Sequence, residues 1–94
     1  MPNLFDENAK ELFSAILTLE TIEDCERFFT DLFTVKEIKE ISQRFEVAEL
    51  LYKGTVYADI AEKTGASTTT ISRVNRALNY GEDGYKTVLK RLEK

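Results

Sequence analysis

The amino-acid sequence predicts an all-α fold of six helices in a single domain. Three observations support this prediction: apolar residues recur at helical spacing, the only proline is Pro2, and no segment alternates polar and apolar residues as a strand would. All four glycines fall in the second half, at positions where helices would end. A chain of 94 residues has room for one domain at most.

The first three helices follow from apolar stripes and capping residues. Residues 9–17 carry apolar side chains at i, i+3, i+4, i+7 and i+8, the pattern of one helix face. Thr21 precedes a second stripe and can cap its helix. Thr34 opens the segment "TVKE", a capping-box pattern, so we expect a long helix from there to Gly54.

Three shorter helices are predicted at about 57–63, 67–79 and 83–93. The first two have the spacing of a helix-turn-helix, which we place at 57–79. Ala61 is small enough for a second helix to cross close by, and Gly65 permits a positive φ in the turn. The expected buried seam consists of Ile60, Ile71, Val74 and Leu78.

The second helix of this motif has an unusual concentration of hydroxyl side chains, "STTTIS", followed by two arginines. Short hydroxyls let a helix approach the major groove and bond to base edges or phosphates, and arginines neutralise phosphates or pair with guanine. Ser67 is also expected to cap the helix. We expect Thr68, Thr69 and Ser72 to face base edges. Backbone or flanking-base contacts are expected from Ser67, Thr70, Arg73 and Arg76.

The composition argues against catalysis and metal binding. The chain has no histidine and one cysteine, Cys25, which nearly excludes zinc sites, histidine-dependent triads and Cys–His pairs. We therefore predict no enzyme activity, catalytic residue, metal or cofactor, and we expect Cys25 to be a small core residue. No apolar run reaches the length of a membrane span, and the first ten residues lack the pattern of a secretory signal, so we expect a cytoplasmic protein without a membrane partner.

The charge is unevenly distributed along the chain. The net charge is −4, but residues 1–35 hold eight acids and two bases, whereas residues 36–94 hold nine acids and eleven bases. A DNA-binding regulator fits the mildly basic second half. The alternative is a protein-interaction module that reuses the helix-turn-helix shape to bind a basic partner through the acidic half. All six phenylalanines lie in the first half, either in a monomer core or on a face that packs against a second copy.

Two segments resemble the Trp repressor family, with the greatest similarity to its YerC/YecD-type members. They are "FTVKEIKEISQRFEVAELLYKG" at 33–54 and "DIAEKTGASTTTISRVNRAL" at 59–78. The resemblance implies an intertwined homodimer in which residues 1–54 form dimerisation helices, 57–79 the helix-turn-helix and 83–93 the C-terminal helix. Such a two-fold dimer would bind double-stranded DNA at a pseudo-palindromic operator, with half-sites about one turn apart.

The resemblance also implies an effector pocket formed by Thr34, Arg44 and Arg73, because the repressor holds tryptophan between two arginines and near a threonine. Two differences affect this pocket. Val74 replaces a glycine that lets the indole approach closely, and Ala77 replaces a serine. A branched side chain would fill the indole space at a cost of about 1–3 kcal/mol. We therefore expect L-tryptophan to bind weakly or not at all, and the identity of any other small-molecule effector stays open.

Overall fold

The computed structural model describes residues 5–93. This part of the chain contains six α-helices and no strand. This confirms the predicted all-α architecture. The helices are α1 (Glu7–Ile16), α2 (Ile22–Leu32), α3 (Val35–Tyr52), α4 (Tyr57–Thr64), α5 (Thr68–Tyr80) and α6 (Gly84–Leu92). Contacts between Cα atoms divide the chain into two units with the boundary between Val35 and Lys36.

The first unit contains α1 and α2, each opened by a side-chain cap. The Asp6 carboxylate accepts a hydrogen bond from the Ala9 N–H at 2.9 Å, and the Thr21 hydroxyl accepts one from the Asp24 N–H at 3.0 Å. Each bond satisfies a backbone donor that the first helical turn cannot satisfy itself. The predicted cap at Thr21 is therefore confirmed.

The apolar side chains of both helices in the first unit are half-buried or exposed. Within the described part of the chain, neither α1 nor α2 buries a residue, and Leu17 and Ile22 are 84% and 76% exposed. The Phe29 ring contacts those of Phe28 and Phe33, with centroids 6.2 and 5.0 Å apart. The expectation that Cys25 is a core residue is wrong for the single chain, because α2 has no core around it and this thiol is exposed.

The hydrophobic core lies in the second unit, where α3 to α6 pack together. Its buried members are Val47, Ala48, Ile60, Ala66, Ile71, Val74, Leu78 and Leu89. The predicted seam of the helix-turn-helix is confirmed, since all four of its residues are buried. Because each of these helices contributes at least one buried apolar residue, this core fixes how α4 and α5 lie on α3.

Two local interactions occur at the C-terminal ends of α3 and α6. Gly54 has φ +86° and ends α3 with two backbone bonds, Gly54 N–H to Leu51 carbonyl and Thr55 N–H to Leu50 carbonyl, which is a Schellman motif. At the C-terminal ends of α3 and α6, Tyr52 and Glu93 line the same cleft. Hydrogen bonding to the Glu93 carboxylate, together with its negative charge, raises the pKa of Tyr52.

Candidate nucleic-acid interface

The turn between α4 and α5 has the geometry that a helix-turn-helix requires. Gly65 has φ +74°, in the left-handed region, and its N–H donates to the Ala61 carbonyl at 2.9 Å. No heavy atom lies within 4 Å of where a Cβ on Gly65 would sit. The requirement for glycine is therefore conformational rather than spatial, as predicted from the sequence.

The first turn of α5 is capped by Ser67. Its hydroxyl oxygen accepts from the Thr70 N–H at 3.1 Å and lies at the same distance from the Thr70 hydroxyl oxygen, to which it donates. The first turn of α5 contains no acidic residue. The partial positive charge of the helix N-terminus is therefore not offset locally, which favours an approaching anion such as a phosphate.

The two faces of α5 differ sharply. Its inner face buries Ile71, Val74 and Leu78 in the core. Thr70 is half-buried. The other predicted DNA contacts are exposed: Ser67, Thr68, Thr69, Ser72, Arg73 and Arg76. The surface they form has short hydroxyl groups toward the N-terminus of α5 and two guanidinium groups further along, an arrangement that can contact bases and phosphates.

Among residues 5–93, neither arginine on this face forms an ion pair. Within residues 5–93, neither Arg73 nor Arg76 has a carboxylate within 4.0 Å, whereas Lys10 pairs with Glu7 and Lys36 with Glu40 at 4.0 and 3.9 Å. A guanidinium that is not already paired can neutralise a phosphate without first breaking an internal ion pair.

The structure adds Tyr80 to this face, which the sequence analysis did not select. Tyr80 is 87% exposed at the C-terminal end of α5. The series Thr69, Arg73, Arg76 and Tyr80 has spacings of four, three and four residues, so these residues share one stripe of the helix. The spacing was visible in the sequence, but a tyrosine at the end of an amphipathic helix is more often half-buried.

A cleft of about 360 Å³ lies between α3 and α5. It is lined by Glu40, Gln43, Arg44, Thr70, Arg73 and Val74. The structure therefore brings together Arg44 and Arg73, two of the three residues predicted for an effector pocket. Among the described residues, Arg44 has no carboxylate within 4.0 Å, and Glu40 pairs with Lys36. Glu40 and Gln43 are additional lining residues that the sequence analysis did not select.

Comparison with known proteins places this arrangement in a family. The family model for the Trp repressor protein matches residues 7–93. The chain belongs to the Trp repressor family. It is 52% identical over 83 residues to the Bacillus subtilis (strain 168) protein named "Uncharacterized protein YerC", a match that covers 88% of this chain and 80% of that protein.

Solved structures of Trp-repressor-like proteins agree with this assignment. A TrpR-like protein from Eubacterium eligens ATCC 27750 is 54% identical with a TM-score of 0.91, and the match covers 97% of each chain. A Staphylococcus aureus protein described as a Trp repressor candidate is 50% identical, also with a TM-score of 0.91, over 95% of this chain and 89% of that one. Members of the Trp repressor family are regulators, and membership of this family suggests a helix-turn-helix regulator.

Val74 and Ala77, the two residues expected to differ from the repressor, both lie on α5. Val74 lines the cleft and is 3% exposed, so its side chain occupies space between α3 and α5. Ala77 is exposed on α5. Thr34, the third predicted pocket residue, is exposed and immediately precedes α3, at the end of the first unit.

Two further properties concern the described residues only. Over residues 5–93, no three histidine, cysteine, aspartate or glutamate side chains are grouped so that they could hold a metal ion. None of the six helices combines the length and apolar character that a bilayer span needs.

Proposed function

We propose that the protein is a sequence-specific DNA-binding transcriptional regulator that acts as a homodimer and does not depend on tryptophan. The observation that carries this proposal is the contrast between the two faces of α5. The inner face is buried, while hydroxyl groups and two unpaired arginines are exposed on the outer face in a member of the Trp repressor family. A helix anchored in this way can enter the major groove without losing its packing.

The proposed contacts follow from position along α5. Thr68, Thr69 and Ser72 would contact base edges, where hydroxyls bond either to donors or acceptors and threonine methyls touch thymine methyls. Arg73 and Arg76 would contact phosphates or flanking bases. Ser67 and Thr70 would hold the DNA backbone near the N-terminus of α5, where main-chain N–H groups and the helix dipole favour phosphate.

The homodimer is supported by the exposed apolar side chains of the first unit. In the single chain no residue of α1 or α2 is fully buried, although each helix has a clear apolar stripe. Exposed apolar residues in this unit are Phe5, Phe13, Leu17, Ile22, Leu32 and Val35. A stripe of this kind is stable when it packs against another apolar surface, and a second copy supplies one. A two-fold dimer then selects a pseudo-palindromic operator.

An effector site is part of the proposal, with tryptophan as a poor ligand. Arg44 and Arg73 line the cleft between α3 and α5, and no carboxylate of residues 5–93 lies within 4.0 Å of either guanidinium group, which suits a small anionic group. The buried Val74 side chain opposes an indole in this cleft. Thr34 belongs to this proposal on the family resemblance alone. We also propose a cytoplasmic location, in keeping with a DNA-binding protein.

Selection of bound fragments from random duplex DNA at a stated salt concentration tests this function. The wild type is expected to enrich a palindrome whose half-site centres are about one helical turn apart. The variant Thr69→Ala is expected to lose preference at one position in each half-site, by about 1–3 kcal/mol. The matched control is Thr87→Ala, an exposed threonine on α6 outside the helix-turn-helix. No enrichment by the wild type, even at low salt, would favour the protein-interaction module instead.

A further inference from the structure

We propose that Gln43 is a positioning residue that ties the turn of the helix-turn-helix to α3 and so sets the first turn of α5 for DNA contact. The inference rests on the proposed DNA-binding function and adds to it the means by which the motif is held without a bound ligand. Its basis is one partly buried hydrogen bond, from the Gln43 side-chain amide to the main-chain carbonyl of Thr64, 21 residues further along the chain.

The bond satisfies a backbone group that α4 cannot satisfy itself. The last four carbonyls of a helix have no partner within it, and Thr64 is the final residue of α4. Gln43 Nε2 donates to the Thr64 carbonyl oxygen at 3.1 Å, and both residues are half-buried. If the turn moved away from α3, the half-buried Thr64 carbonyl would lose its hydrogen-bond donor, which costs free energy. This cost favours the observed distance between the turn and α3.

Thr64 also makes the turn stiff. Its hydroxyl donates to the Ile60 carbonyl at 2.7 Å and accepts from the Ala66 N–H at 3.1 Å. The Gly65 N–H donates to the Ala61 carbonyl at 2.9 Å. Because these bonds hold the turn together as one piece, the bond from Gln43 fixes the position of the whole turn relative to α3.

The core and the turn hold different parts of α5. The core holds α5 through Ile71, Val74 and Leu78. Residues 67–70 carry two of the proposed base contacts, Thr68 and Thr69, are exposed or half-buried, and follow the Thr64 turn directly. They lie between two buried residues, Ala66 in the turn and Ile71 in α5. Burial of Ile71 and of the seam residues after it fixes most of α5, while the direction of its first three residues depends on the turn, which the packing of Ala66 and the bond from Gln43 hold in place.

The test compares Gln43→Met, which keeps the length of the side chain but has no donor, with Ser42→Ala, an exposed neighbour on α3. Amide hydrogen exchange is measured at Gly65, Ala66 and Leu78. Gln43→Met is expected to speed exchange at Gly65 and Ala66 by about three- to tenfold and to leave Leu78 unchanged. Affinity for the duplex enriched by the wild type is expected to fall by about the same factor. The slope of log affinity against log salt should not change, since no phosphate contact is removed.

Three outcomes separate this inference from the proposed function. Equal acceleration at Leu78 would mean that Gln43→Met lowers overall stability, and this would overturn the positioning role. Faster exchange in the turn with unchanged DNA affinity would also overturn it. If the wild type binds no DNA, the proposed function fails, and the exchange data alone then decide whether Gln43 holds the turn.

Discussion

Replacement of Val74 by glycine tests whether this side chain closes the cleft to an indole. Val74 is 3% exposed, so the change removes three buried carbon atoms. At about 0.8 kcal/mol per buried carbon group, with about 0.5 kcal/mol for the poorer helix propensity of glycine, Val74→Gly is expected to cost about 3 kcal/mol of unfolding free energy. It should also relieve about 1–3 kcal/mol of overpacking against an indole, which corresponds to roughly 5- to 150-fold tighter tryptophan binding.

The assay for this prediction is the fluorescence of L-tryptophan itself, titrated with protein, because the chain contains no tryptophan. The matched control is Ala58→Gly, an exposed alanine on α4 that does not line the cleft. It is expected to cost up to about 1 kcal/mol through helix propensity alone and to leave tryptophan binding unchanged. If wild type and Val74→Gly bind tryptophan equally, or if Ala58→Gly produces the same gain, Val74 does not close the cleft.

Three further predictions concern the DNA-binding face and the ends of the second unit. Arg76→Ala is expected to lower the slope of log affinity against log salt by about 0.9, and an unchanged slope would show that Arg76 contacts no phosphate. Ser67→Ala removes the cap that accepts from the Thr70 N–H and should cost about 1 kcal/mol in urea unfolding, whereas Ser67→Asp should retain most of it. Glu93 raises the pKa of Tyr52 in the folded state. The contribution of protonated Tyr52 to folding stability is therefore present below about pH 10 and is lost as the pH rises through the folded pKa. In Tyr52→Phe the melting temperature should fall less at alkaline pH than in the wild type. An equal fall in both proteins would contradict the effect of Glu93 on Tyr52.

Local patterns in the sequence were sufficient to predict the helices, their caps and the turn. The cap at Thr21, the positive φ of Gly65 and the burial of Ile71 and Val74 depend on neighbours within a few residues, and all were predicted correctly. The proposed DNA-binding face of α5 follows from the same periodicity, because a buried seam leaves the opposite face exposed.

Features that depend on distant partners could not be predicted in this way. The bond between Gln43 and Thr64 joins residues 21 positions apart, and a glutamine on a polar stretch of α3 gives no local sign of its partner. The exposure of Cys25 has a related cause. The apolar stripe of α2 suggested a core, but in the chain by itself no residue of that helix is fully buried and Cys25 is exposed.

A titration of the DNA duplex enriched by the wild type, at fixed salt and with or without L-tryptophan, would decide whether this chain is a DNA-binding dimer that does not depend on tryptophan. Fluorescence anisotropy gives the affinity, and sedimentation of the same samples gives the number of chains on each duplex. We predict two chains per duplex and the same affinity in both conditions. Binding that requires tryptophan, binding by a single chain, or no binding at all would contradict this account.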